Sequence, residues 1–207
     1  MERRELLKMI ALATGGVVIG GEFLLSGCKN EKAGNGLMFT DDDIIFLDEV
    51  AETILPKTNT PGAKDAQVGK YMTVMVNDCY TAKEQKIFHA GIKQLDDACN
   101  KMFNTGFIKA TDEKKKSLLV VIDKEAKEFQ KNKSEKEKVE REKASKEHDK
   151  NFEFESNHYF TMMKQLTLSG FFTSEVGATK VLRYVAIPGK YEGCVPYTKG
   201  EKAWATS

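Results

Sequence analysis

The sequence predicts an all-α protein, a small helical bundle with a long charged helix and an extended, turn-rich C-terminal tail. Apolar residues recur every three or four positions in several segments between residues 40 and 185, which is the spacing of one helical face. No segment alternates between polar and apolar residues for long enough to build a sheet. The 207 residues suffice for one domain with appendages, and 41% hydrophobic residues allow a modest core.

The first predicted helix begins after Thr40, which stands three residues before Asp43 as in a capping box, and it ends at Pro56. A turn-rich connection over residues 58–64 leads to a second helix over residues 65–80 and a third over residues 83–103. Their apolar faces are expected to lie in the core. These faces are Val68, Met72, Met75, Val76 and Cys79 in the second helix, and Phe88, Ile92, Leu95, Cys99 and Met102 in the third.

The fourth predicted helix opens at Thr111, and its buried side is expected to be Leu118, Leu119, Ile122, Ala126 and Phe129. Apolar residues then nearly vanish, and residues 109–150 hold fourteen Lys and Arg against eleven Asp and Glu. No heptad repeat of apolar residues continues through this run, which makes a coiled coil a poor fit. Residues 131–150 are therefore predicted to be a solvated, projecting helix or a disordered insert, and a charged docking arm is the alternative.

Apolar residues return after residue 152 and predict a helix that packs back onto the others. Thr173-Ser174-Glu175 can cap one more short helix. The helical domain is thus expected to span residues 40–185. Turn formers dominate beyond it, so residues 186–207 are predicted to be an extended C-terminal tail.

The first 27 residues have the composition of an export signal. Arg3 and Arg4 precede an apolar stretch of residues 9–25, which is short for a transmembrane helix. The arginine pair resembles a twin-arginine signal, and Leu-Ser-Gly before Cys28 resembles a lipobox. We expect export through the twin-arginine pathway, lipidation of Cys28, a tether over residues 28–39, and anchoring in the bacterial cell envelope facing the periplasm.

No catalytic, cofactor or metal motif is recognisable in the sequence. His89, His148 and His158 lack metal-ligand spacing, and a packed structural role is favoured over a catalytic one for His89 and His158. There is neither a Cys-x-x-Cys nor a Gly-x-Gly-x-x-Gly pattern. A formal charge of +1 argues against nucleic-acid binding. Once Cys28 is lipidated, an odd number of cysteines remains, namely Cys79, Cys99 and Cys194, and their pairing is open.

Two blocks of the sequence carry a resemblance to a known family. The first covers residues 47–68 and contains Glu52-Thr53-Ile54-Leu55-Pro56 and Thr60-Pro61-Gly62-Ala63. The second covers residues 166–196 and contains Ser169-Gly170-Phe171-Phe172-Thr173-Ser174-Glu175 and Pro188-Gly189-Lys190-Tyr191-Glu192-Gly193-Cys194. Both are similar to the gluconate 2-dehydrogenase subunit 3 family, the small subunits of membrane-bound flavin-dependent sugar dehydrogenases.

The resemblance implies a non-catalytic subunit without a cofactor of its own. FAD and catalysis are expected in a glucose–methanol–choline-type large subunit, a c-type cytochrome is a further expected partner, and the small subunit would escort the large one through the twin-arginine pathway. The expected docking residues are Pro188, Gly189, Tyr191, Gly193 and Cys194. The alternative for these residues is a tail packed on its own core. The alternative function is a stand-alone helical lipoprotein that binds a ligand or acts as a scaffold.

Overall fold

The computed structural model describes residues 38–147, 155–187, 189–190 and 193–205, and within them the protein is helical. The predicted signal peptide and most of the tether lie outside these residues. No strand occurs in the described ranges, and none of their helices is long and apolar enough to cross a membrane. The all-α prediction is confirmed by five helices: α1 (Asp41–Ile54), α2 (Val68–Cys79), α3 (Ala82–Phe103), α4 (Asp112–Glu147) and α5 (Tyr159–Thr173).

Local capping chemistry sets the starts of α1 and α3. The predicted capping box at Thr40 and Asp43 is present. Thr81 forms a second one with Glu84, so that α3 begins at Ala82, one residue before its predicted start. α2 begins at Val68, later than predicted, because the chain first forms a short 3-10 turn and then passes through Gln67 with a φ of 52°. The left-handed conformation of Gln67 separates the two helical segments.

Helix α5 lies at the centre of the bundle and contacts the other four helices. Its buried residues form one broad face, whereas Gln165, Leu168 and Phe172 on the opposite side are exposed. The buried face consists of Tyr159, Phe160, Met162, Met163, Leu166, Thr167, Gly170 and Phe171. The surrounding helices supply the rest of one continuous core, including Leu47 and Val50 from α1, Met72 and Val76 from α2, Phe88 and Leu95 from α3, and Leu118 and Ile122 from α4.

Four residues that were predicted to be buried are not fully buried. Met75 of α2 is half-buried. Cys79 is exposed at the last position of α2, and Met102 is 47% exposed at the penultimate position of α3, so both lie at helix ends. Phe129 is half-buried on α4, where its ring lies against that of His158 at a centroid distance of 5.7 Å.

The charged run continues α4 as a regular helix to Glu147, while residues 148–154 lie outside the described part of the chain. The run is not wholly solvated, because Lys133 is buried. Its Nζ donates a 2.7 Å hydrogen bond to Oδ1 of Asn157 and lies 3.6 Å from a carboxylate oxygen of Glu137. These contacts tie the distal half of α4 to the segment that precedes α5.

Close helix packing at Gly91 generates a stability prediction. A Cβ at Gly91 of α3 would lie 2.5 Å from the Cβ of Tyr159, an inner atom that cannot swing away. We expect Gly91→Ala to lower the free energy of unfolding by about 1–3 kcal/mol, since overpacking outweighs the roughly 1 kcal/mol that Ala gains in helix propensity. Urea denaturation would measure the change. Gly189→Ala, with no atom within 4 Å of the added Cβ, is the control, and equal effects of the two would contradict the packing argument.

Candidate partner-docking surface

Acidic side chains of α1 hold the loop that joins α1 to α2. Glu52 accepts hydrogen bonds from the backbone N–H groups of Lys57 and Lys64, both at 2.8 Å. Asp48 accepts one at 2.7 Å from Gly69, in the first turn of α2. These carboxylates satisfy amides that the irregular loop and the helix end leave without a helical partner. The first sequence block is therefore a clamp that fixes α2 against α1.

Glu49 adds an ionic contact to this clamp. Its carboxylate pairs with Lys64 and with the buried Lys115 of α4, whose Nζ lies 2.9 Å away. Burial opposes ionisation of Glu49, but the hydrogen bonds from the two lysines outweigh it and hold the pKa of Glu49 below its ordinary value. Burial has the same effect on Asp48, where it is the larger contribution and raises the pKa, although the Gly69 N–H bond opposes the shift.

Pro61 and Gly62 lie in the clamped loop and shape its turn. The N–H of Gly62 donates to a carboxylate oxygen of Asp65 at 3.0 Å, and a Cβ at this position would collide with the Glu52 carboxylate and with the backbone N of Lys57. Only glycine allows the loop to approach Glu52 so closely. The sequence interpretation of these two residues as turn formers agrees with this geometry.

The second block builds the end of α5 and the turn that follows it. Gly170 lets α5 approach the ring of Tyr71 on α2, where a Cβ would lie 2.5 Å from the ring. Ser174 then accepts a hydrogen bond from the N–H of Gly177 at 3.0 Å and donates to the carbonyl of Phe171 at 2.6 Å. The predicted short helix is present as a single π-helical turn, Gly177–Val181.

The two blocks meet in space although about a hundred residues separate them. The hydroxyl group of Tyr71, three residues after the first block, lies 3.4 Å from that of Ser169 in the second. Lys180, in the π-turn, lies close enough to Asp65 to contribute to the lowering of its pKa, after the larger effects of the Gly62 N–H bond and of Lys57. The loop of the first block and the turn of the second thus form one continuous region of the surface.

The C-terminal tail leaves from this region and is held by one clasp. Arg183 and Trp204 form an isolated parallel bridge, with hydrogen bonds of 2.8 Å from the Arg183 N–H to the Ala203 carbonyl and 3.1 Å from the Ala205 N–H to the Arg183 carbonyl. The Arg183 guanidinium lies 4.1 Å from the centroid of the Trp204 ring. Lys202 also donates to the carbonyl of Lys180 at 2.7 Å.

The tail presents large apolar side chains to solvent. Ile187 is 85% exposed and Tyr197 is 83% exposed, and no described residue after Phe171 belongs to the buried core. Exposed apolar side chains of this size, grouped in one segment, are typical of an interaction site. We call the following residues the apolar tail surface: Tyr184, Val185, Ile187, Val195, Tyr197 and Trp204.

Three of the docking residues expected from the sequence fall within or next to this surface. Gly189, Gly193 and Cys194 are exposed, whereas Pro188 and Tyr191 lie outside the described residues. Sequence reasoning missed the surrounding apolar side chains and the Arg183–Trp204 clasp. The residue that could have indicated them is Trp204, the single tryptophan of the chain.

The histidines and cysteines considered in the sequence analysis have the following surroundings. His89 stacks on Phe39 at a centroid distance of 3.9 Å. His158 caps α5 by accepting the N–H of Phe160 at Nδ1 over 3.2 Å, and burial lowers the pKa of His158. His148 lies outside the described residues. Within the described ranges Cys79, Cys99 and Cys194 are free thiols, and no group of three or more potential metal ligands is found.

Comparison with known families decides the assignment. The family model for gluconate 2-dehydrogenase subunit 3 matches residues 41–189, from the start of α1 into the tail. The chain belongs to the gluconate 2-dehydrogenase subunit 3 family. No curated protein and no solved structure matches it. The match confirms the resemblance seen in the two blocks, and it extends over the charged helix α4, which the blocks did not include.

In this member of the gluconate 2-dehydrogenase subunit 3 family, the residues of the two blocks and the residues of the tail have different surroundings. The clamp and the glycine contacts explain most of the block residues by packing alone. The apolar tail surface is the feature near both blocks that the fold itself does not use. It is therefore the candidate functional site of this subunit.

The Glu49 pair generates a pH prediction. A lowered folded-state pKa contributes stability that is present above the unfolded pKa, near 4.3, and is lost as the pH falls through the folded value. At neutral pH we expect Glu49→Gln to cost about 1–3 kcal/mol, since it weakens the pairing of the buried Lys115 ammonium. The difference from wild type should shrink toward pH 3. Urea midpoints at both pH values would measure it, with the exposed Glu128→Gln as control, and a difference independent of pH would count against the Glu49 pair.

Proposed function

We propose that this protein is the non-catalytic small subunit of a flavin-dependent sugar or polyol dehydrogenase. In this proposal it stabilises a glucose–methanol–choline-type large subunit, escorts it through the twin-arginine pathway and anchors it to the membrane. FAD and catalysis belong to the large subunit, and a c-type cytochrome would receive the electrons. The family assignment supports the accessory role, and the sequence of the first 28 residues supports export and lipidation.

The apolar tail surface is the observation that carries the proposal. A small subunit that crosses a membrane bound to its partner needs an interface of at least about 1,200 Å² of total buried area. Aromatic side chains are enriched in such interfaces, and this tail offers Tyr184, Tyr197 and Trp204 together with three aliphatic residues. The Arg183–Trp204 clasp restrains the two ends of the tail before binding, which reduces the entropy lost on docking.

Lipidation at Cys28 would give the complex its attachment to the envelope. Each buried methylene contributes about 0.8 kcal/mol, so the two or three acyl chains of a lipoprotein hold it almost permanently. The folded domain can then carry the large subunit without a membrane-spanning segment of its own. This arrangement assigns anchoring to the small subunit and leaves the cytochrome with electron transfer alone.

Replacement of tail residues tests the docking role. The double variant Ile187→Ser and Tyr197→Ser should reduce recovery of the flavoprotein about tenfold or more, because the partner loses two large apolar contacts. The measurement is affinity purification from the native membrane, with mass spectrometry of the co-purified proteins and a flavin absorbance spectrum. Ile45→Ser and Val74→Ser, which remove exposed apolar side chains on α1 and α2, are the matched control.

Each result of this purification has a definite meaning. A flavoprotein that accompanies wild type and the control but not the tail variant supports the proposal. Equal recovery with all three proteins would exclude the tail as the docking surface. A wild-type protein that purifies alone and colourless would instead favour the stand-alone helical lipoprotein.

The escort role is tested at the signal. We expect replacement of Arg3 and Arg4 by Lys to strand both subunits in the cytoplasm, because the twin-arginine pathway recognises the arginine pair. Cell fractionation with immunodetection of the large subunit gives the result, and Lys8→Arg is the control for a change of basic residue. If the large subunit reaches the envelope normally in the Arg3/Arg4 variant, it is exported without this escort.

A further inference from the structure

Most of the exposed basic residues of α4 share one face of the helix. Residues 116, 120, 124, 127, 131, 134, 138 and 141 recur every three or four positions and therefore lie on the same side. Six of these eight residues are basic and none is acidic, although the whole chain carries only +1. We call its basic members the lysine stripe: Lys116, Lys124, Lys127, Lys131, Lys138 and Arg141, all of them exposed.

Between residues 116 and 141, four carboxylates of α4 flank the lysine stripe, each three or four positions from one of its basic residues: Asp123, Glu128, Glu135 and Glu137. Asp123 is paired with the stripe's own Lys127 at 2.7 Å, which offsets that charge, and with Lys164 of α5 at 2.6 Å. The neighbouring helix α5 contains no acidic residue and adds Lys164 to the positive charge. Of the acids of α1, Glu49 and Glu52 are held in the clamp. The six basic residues of the stripe and Lys164 thus outnumber the four flanking acids, and the face keeps an excess of positive charge.

A shallow groove of about 310 Å³ lies in the proximal part of the stripe. Its apolar lining includes Ile54, Leu119 and Phe160, and Lys116, Lys124, Lys127 and Lys164 also line it. Val120, half exposed, lies among the basic residues of the stripe. An apolar depression lined by ammonium groups can accept a ligand that joins negative charge to hydrocarbon.

We propose that the lysine stripe binds the anionic phospholipid headgroups of a bilayer. From residue 116 to residue 141 the helix rises about 38 Å, at 1.5 Å per residue, which gives a long, straight contact suited to a membrane plane. Lysines near an anionic surface are attracted to it electrostatically and need no specific geometry. The groove offers a place for the hydrocarbon nearest a headgroup.

The composition of the stripe favours a membrane over an acidic protein partner. Five of its six basic residues are lysines, which are depleted in protein interfaces, whereas arginine is enriched there. Lysine also lacks the planar fork with which arginine recognises individual carboxylates. The stripe carries no aromatic side chain to anchor a protein interface, in contrast to the apolar tail surface. The two surfaces thus have the chemistry of two different contacts.

The inference rests on the proposed lipid anchor only to bring a bilayer within reach. Residues 29–40 between Cys28 and α1 span at most about 40 Å when extended, at 3.3–3.6 Å per residue. A bilayer at that distance is accessible to the folded domain. Lipid chains combined with a basic patch make two membrane signals, and the second would set the orientation of the domain.

Vesicle binding by the full-length chain tests the inference without partner or export. Every protein compared carries Cys28→Ser, which removes lipidation. All of them keep the signal segment, so any vesicle binding by that segment is the same in each. Co-sedimentation with phosphatidylglycerol–phosphatidylcholine vesicles is compared with phosphatidylcholine vesicles alone. The stripe variant is Lys116→Glu, Lys124→Glu and Lys131→Glu, and the control is Lys86→Glu, Lys101→Glu and Lys136→Glu, which alters exposed lysines outside the stripe by the same total charge.

We expect the stripe variant to lose at least about a hundredfold in partitioning to anionic vesicles, at roughly fivefold for each lysine charge removed. The control should stay within a few-fold of its parent. Binding of the parent should also fall as salt rises from about 0.1 M to 1 M, where the screening length drops to about 3 Å. Far-ultraviolet circular dichroism verifies that both variants keep their helices.

Lysine acetylation provides a second readout that the signal segment does not affect. Anionic vesicles should protect Lys116, Lys124 and Lys131 from an acylating reagent and leave Lys86 and Lys136 reactive. Equal vesicle binding by the stripe and control variants, or equal protection of both sets, would overturn the inference. So would a stripe variant that binds vesicles normally but no longer co-purifies with the flavoprotein, since the stripe would then be a protein interface. Failure of the proposed function is a separate result, because it is read from co-purification alone.

Discussion

The central constraint on this fold is the broad buried face of α5. Such a face is stable in water only when other helices cover it, and here four helices contact α5. Close enclosure requires small residues at the contacts, which explains Gly91 against Tyr159 and Gly170 against Tyr71. Because α5 occurs late in the chain, the bundle is complete only when this segment has joined the first four helices.

The acidic residues of α1 extend this constraint to the loop that precedes α2. Asp48 and Glu52 accept backbone N–H groups, and Glu49 reaches Lys115 on α4, so one turn of helix fixes a loop and two helices. The residues of the two sequence blocks are thus largely accounted for by packing and hydrogen bonding. The candidate functional site lies beside them, on the apolar tail surface that follows the π-turn.

Two surfaces of contrasting chemistry follow from this architecture. The apolar tail surface has aromatic and aliphatic side chains and suits a protein partner, whereas the lysine stripe of α4 is cationic and suits a headgroup layer. In the proposed function, one surface holds the large subunit and the other orients the assembly on its membrane. A nearly neutral protein can serve both contacts because six of its basic residues share one face of α4.

Local patterns in the sequence predicted the helices and several of their limits, although α2 begins three residues later than predicted. Thr40 and Asp43 cap α1, Pro56 follows it, and the apolar spacing of α3 and α5 marks the buried faces, because these effects act over one or two helical turns. The candidate site was only partly predictable: the second block pointed to the tail around Gly189 and Cys194, but the exposure of Ile187 and Tyr197 was not foreseen. Only the tertiary structure showed that Cys79 is exposed, that Lys133 is buried and that Arg183 holds Trp204. Each of these depends on which distant segment covers the residue, and a periodicity of three or four residues carries no information about that.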